Sequence, residues 1–123
     1  MNNYPFNAVL VDGIRTPFLK SGTDYNSLMA YDLGRYAIQG LLARNSINPK
    51  SIDRVIMGNV IQEVRTSNVA RESALGAGIP NSVPAFTIAL ACISSNQAIA
   101  SGVDLIRSGQ AKIILAGGTE TMS

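Results

Sequence analysis

Four short apolar runs alternate with stretches of helical period along this chain, and that alternation constrains its fold most. Ala8-Val9-Leu10-Val11 is continuous and apolar and closed by Asp12-Gly13, as a strand buried on both faces would be. The second run is Val55 to Val60. The third, opened by Pro84, is Ala85 to Ala91. The fourth, Lys112 to Ala116, is stopped by Gly117-Gly118. Between the first two, Leu33, Ala37, Ile38, Leu41 and Leu42 recur at three- and four-residue spacing, which predicts a helix over 32–44. Asn45 suits a left-handed stop, and Pro49 opens a brief turn. A second helix is predicted over 69–77, capped by Ser67 or Asn68 and ended by Gly78 and Pro80. A third is predicted over 92–108, with Gly109 past its end. This order argues for an α/β fold: a parallel sheet, right-handed crossovers and helices on both faces.

At 123 residues, 46% of them apolar, the chain is long enough for one domain with a core, taken as residues 1–123. No apolar run approaches the roughly 18 residues that a membrane-spanning helix needs. The net charge is +2 and the basic residues are scattered. With no basic stripe, no aromatic platform and no zinc spacing, neither nucleic acid nor a metal is expected as a partner. A single cysteine excludes an intrachain disulfide framework and fits a reducing compartment. Met1-Asn2-Asn3-Tyr4-Pro5 carries neither signal nor transit chemistry, so a cytoplasmic location is expected. The mitochondrial matrix is the alternative in a eukaryote.

The third predicted helix is rich in small residues, Ser94, Ser95, Ala98, Ala100, Ser101 and Gly102, and its charges are Asp104 and Arg107 alone. A glycine inside a helix costs about 1 kcal/mol against alanine, which close packing offsets. A helix with no polar face is normally buried all round. One side can rest on the sheet. The other calls for a partner layer that these 123 residues do not supply.

Cys92 stands where the third apolar run meets that helix. A thiol there faces unpaired backbone N–H groups and the positive end of the helix dipole, both of which favour the nucleophilic thiolate. Against this, a free cysteine is often just a small buried hydrophobe. The chain has no histidine, so a base for Cys92 lies outside it.

Five segments, in order, carry a resemblance. They are Asp12-Gly13-Ile14-Arg15-Thr16-Pro17-Phe18, Gly58-Asn59-Val60-Ile61-Gln62, Asn68-Val69-Ala70-Arg71, Ala91-Cys92-Ile93-Ser94-Ser95-Asn96-Gln97-Ala98 and Ala116-Gly117-Gly118-Thr119-Glu120-Thr121-Met122-Ser123. Together they resemble the N-terminal part of the thiolases. Isoleucine after the cysteine and the Ser-Asn-Gln run most resemble the 3-ketoacyl-CoA thiolases that act as beta subunit of a trifunctional complex.

The resemblance implies an acyltransferase that cleaves 3-ketoacyl-CoA with CoA. Cys92 would carry the acyl group as a thioester, with its backbone N–H in an oxyanion hole. CoA would be a substrate, with no cofactor. The resemblance further implies a three-layer half-domain whose strands lie in the order 3-2-1-4, with a fifth strand, a loop insertion and a C-terminal half absent here. A homodimer through strand 86–91 and a complex with a beta-oxidation alpha subunit follow as expected partners. Two other readings compete: a non-catalytic chain that only pairs with a full-length subunit, and another condensing enzyme of the same superfamily. Arg-Thr-Pro-Phe and Gly-Gly-Thr-Glu-Thr-Met-Ser argue against the latter. Gly76-Ala77-Gly78 and Gly117-Gly118 lack the spacing and lysine of a phosphate loop. Glu120 reads as a structural hydrogen-bond acceptor rather than a base.

Overall fold

A computed structural model describes residues 5–123. The expectation about a leader segment falls partly on residues 1–4, outside the described residues. Among the described residues three α-helices and three strands run in the order α1 (Ala30–Arg44), β1 (Arg54–Gly58), α2 (Val69–Gly76), β2 (Ala85–Ile88), α3 (Ser94–Arg107) and β3 (Ile114–Gly118), with a 3-10 turn at Pro49–Ser51 between α1 and β1. All strand pairs are parallel, and the sheet order is β2-β1-β3.

The helices form where the periodicity places them. Leu33, Ile38 and Leu42 of α1 are buried. The Asp32 carboxylate accepts the Met29 N–H at 3.0 Å, so the first turn is capped from within and begins two residues before the predicted start. The left-handed residue after α1 is Ser46 (φ 52), not Asn45 (φ −99). The Asn45 amide is committed elsewhere, donating to Leu41 O and to Asp12. Of the two candidate caps for α2, Asn68 serves: its Oδ1 accepts the Arg71 N–H at 3.2 Å.

Side chains alternate across the sheet, and that separates the layers. Val55 and Met57 join Ile38, Leu42, Ala70 and Ala74 in the core on the α1/α2 side. On the other side α3 lies against β1 and β3. A Cβ at Gly102 would touch Ile114 at 3.2 Å, which explains the glycine inside that helix. Ser94, Ala98 and Gly102 form the buried stripe of α3. Its opposite face, with Ile99 and Ala100, is exposed, so α3 is covered on one side only.

Three expectations are corrected. The order is not 3-2-1-4: Arg54–Gly58 pairs directly with Ile114–Gly118, so the position assigned to the first run is taken. Ala8–Val11 then has no strand beside it. It is unpaired, with Val9, Leu10 and Val11 exposed at 79%, 85% and 78%. Continuous apolarity signals a partner, and among the described residues none adjoins it. Second, β2 ends at Ile88 rather than Ala91, because the chain turns before Cys92. Third, Gly117-Gly118 does not stop β3 but completes it, opposite Met57 and Gly58.

Candidate active site

The C-terminal ends of β1 and β3, the turn before α3 and the loop over residues 14–21 enclose a cleft of about 720 Å³. Cys92 lines it and is exposed. It is not the first residue of α3, which begins at Ser94; the intervening residues form a tight turn. Ala91 takes a left-handed φ of 45°, uncommon for a residue with a side chain. Ser94 holds the turn: its hydroxyl donates to Ala91 O at 2.6 Å and accepts the Leu90 N–H at 2.8 Å. Ile93 N–H and Ser94 N–H bond back to Leu90 O and Ala91 O. The backbone on both sides of the thiol is therefore tied down where Cys92 lines the cleft.

Two glycines seat this turn. A Cβ on Gly58 would lie 2.5 Å from the Ser94 carbonyl carbon and 2.5 Å from Ser95 N. A Cβ on Gly118 would overlap Ser95 Oγ. The end of α3 thus rests directly on the ends of β1 and β3, closer than any larger residue allows. This was the physical meaning of both glycines, and neither periodicity nor turn chemistry disclosed it.

Past the sheet, Thr119 N–H donates to Gly58 O at 3.0 Å and its hydroxyl donates to Ala30 O. Glu120 is an acceptor, as expected, and its donors are on the loop after β1: Val60 N–H at 2.8 Å and Ile61 N–H at 3.2 Å. Met122 lies in the cleft wall, where its carbonyl accepts from the Ser21 hydroxyl at 2.7 Å. Arg15 stacks over Phe18 at 4.7 Å and donates to Thr16 O, so it organises its own loop.

At the far end of that loop, Asp12 accepts from Arg44 Nε at 2.9 Å and from Asn45 Nδ2 at 2.7 Å. The Asn45 amide first, then Arg44 and the Gly13 N–H, lower its pKa to about 2. Asp53 accepts the Ile113 and Lys112 N–H groups, which lower its pKa as well. Both are anchors of loops rather than members of the cleft. Among the described residues no group of three or more His, Cys, Asp or Glu side chains is placed to hold a metal. Among the described residues no helix is long and apolar enough to cross a membrane.

Comparison with known proteins gives this arrangement a lineage. Residues 8–123 match the thiolase N-terminal domain family. The human mitochondrial trifunctional enzyme subunit beta is 59% identical over 117 residues, covering 95% of this chain and 25% of that protein. A 3-ketoacyl-CoA thiolase of Aeromonas salmonicida is 40% identical, covering 93% of this chain and 26% of its own length. The crystal structure of the Bacillus anthracis acetyl-CoA acetyltransferase superposes with a TM-score of 0.90 at 34% identity, over 94% of this chain and 29% of that one. The chain spans about a quarter of the length of these curated relatives. With a parallel sheet between helices, a cysteine on the turn into α3 and a match across nearly its whole length, this chain belongs to the thiolase family as an N-terminal domain.

Proposed function

We propose that Cys92 is the acyl-carrying nucleophile of a 3-ketoacyl-CoA thiolase. The observation that carries this is its placement: an exposed cysteine on the tied-down turn that precedes α3, lining a cleft. In the forward reaction its thiolate attacks the C3 carbonyl of a 3-ketoacyl-CoA. The C2–C3 bond breaks, and the carbon leaving group takes a proton to become acetyl-CoA. The acyl group stays on Sγ as a thioester until the thiol of a second CoA displaces it. We assign the Cys92 backbone N–H to the oxyanion of the tetrahedral intermediate. Acyl-CoA and CoA are the substrates, and we assign no cofactor.

The base that takes the thiol proton is not in this chain, which has no histidine. We therefore read these 123 residues as one contributor to a site that residues outside them complete, in keeping with a match to a quarter of the relatives' length. The free edge of β2 supports pairing with a second copy, and the relatives called trifunctional enzyme subunit beta support a complex with an alpha subunit. Several of those relatives are named mitochondrial, which favours the matrix over the cytoplasm.

The test has two arms. The purified chain with 3-ketoacyl-CoA and CoA is expected to show no turnover. Intact-mass and peptide analysis after incubation with acyl-CoA at mildly alkaline pH is expected to find the acyl group on Cys92. Turnover abolished by Cys92→Ser would refute the missing base, and acylation at another residue or none would refute the nucleophile. Co-purification with a full-length subunit whose own activity is unchanged would favour a chain that only assembles.

A further inference from the structure

We infer that Glu120 is a positioning residue for the acyl transfer at Cys92, acting through the loop that walls the cleft. This rests on the reading of Cys92 as acyl acceptor. β1 ends at Gly58, so the N–H groups of Val60 and Ile61 lose the ladder as a partner. The Glu120 carboxylate takes its place, with Oε2 2.8 Å from Val60 N and Oε1 3.2 Å from Ile61 N. Oε1 also accepts from Asn59 Nδ2 at 3.2 Å, and the same amide donates to Thr119 O at 2.8 Å. Asn59 is buried at 7% exposure. Bonds to an ionised acceptor are the stronger kind, and three here converge on one carboxylate.

The loop so held is a partition. Asn59, Val60 and Ile61 line the Cys92 cleft on one side and a separate cavity of about 160 Å³ on the other. Both aliphatic side chains are half exposed, so packing does little to hold them. Glu120 thus sets where this wall stands, and the wall sets how a thioester arm lies beside the thiol. A small reagent that needs no wall reaches Cys92 either way.

The two cases separate by comparing two probes on the purified chain. S-acetylpantetheine carries the reactive end of CoA: a bond forms from Cys92 Sγ to the acetyl carbon and the pantetheine thiolate leaves, taking up a proton. Iodoacetamide alkylates the same sulfur without an arm to place. Glu120→Ala is expected to slow acetylation about ten-fold, as small displacements of a positioning group do, with alkylation changed less than about two-fold. Glu120→Gln keeps the shape and one acceptor oxygen and is expected to recover part of the loss; it also serves if the alanine variant does not fold. An unchanged ratio of the two rates in the variants refutes the role of Glu120 alone. If the parent chain is acetylated no faster than a free thiol such as glutathione, the reading of Cys92 fails and this inference with it.

Discussion

Replacing Gly58 by alanine should unseat α3, and the cost follows from where the new atom would land. Its Cβ would lie 2.5 Å from the Ser94 carbonyl carbon, 2.5 Å from Ser95 N and 2.7 Å from Ser94 Cβ. An ordinary contact between such atoms is about 3.5 Å, so helix and strand must separate by about 1 Å. Two of the three atoms are backbone, and no rotamer relieves them. Forced expansion of this kind costs about 1–3 kcal/mol, and the absence of any flexible partner puts Gly58→Ala near 3. For a domain of this size that is a fall in melting temperature on the order of 10 °C.

Gly118→Ala provides the internal control. Its severe overlap is with Ser95 Oγ, the end of a side chain that can rotate, although Gly58 O at 3.0 Å still crowds it. About 1 kcal/mol is expected, and Ser95→Ala should return part of that loss in the Gly118→Ala background and none in the Gly58→Ala background. Urea unfolding followed by circular dichroism measures all five variants. Gly58→Ala within about 0.5 kcal/mol of the parent, or less damaging than Gly118→Ala, would refute the seating of α3 on the strand ends.

Two further outcomes are expected. Ala91→Gly should stabilise the domain by up to about 1 kcal/mol, because the left-handed φ of 45° costs alanine and not glycine; thermal unfolding would show a lower melting temperature if that turn is unstrained. Asp12 has its folded pKa lowered to about 2 from 3.8, so its contribution is fully present above the ordinary carboxylate range and fades as pH falls toward 2. Asp12→Asn should therefore flatten the acid limb of the stability curve between about pH 4 and 2, and an unaltered limb counts against the Asp12–Arg44–Asn45 cluster.

Helices were the legible part of this fold. The stripe Leu33, Ile38, Leu42 and the punctuation Asn68, Gly78 and Gly109 report local chemistry, and local chemistry decides them. Strand order was not legible, because pairing is a long-range choice. Ala8–Val11 and Arg54–Gly58 both look like interior strands, and only their neighbours distinguish them. At the site, Cys92 was visible from its position between strand and helix. The work of Gly58, Gly118 and Glu120 was not. Each acts on a segment about 23 to 60 residues away in the chain, and nothing in the neighbouring residues discloses that contact.

The unpaired Ala8–Val11 stretch also governs how this domain behaves in concentrated solution. Three exposed aliphatic side chains in a row, with no charged side chain before Asp12, form an adhesive patch that like copies can match. Sticking of that sort is second order in protein and insensitive to salt. A charged residue on the patch is the gatekeeper that would disarm it.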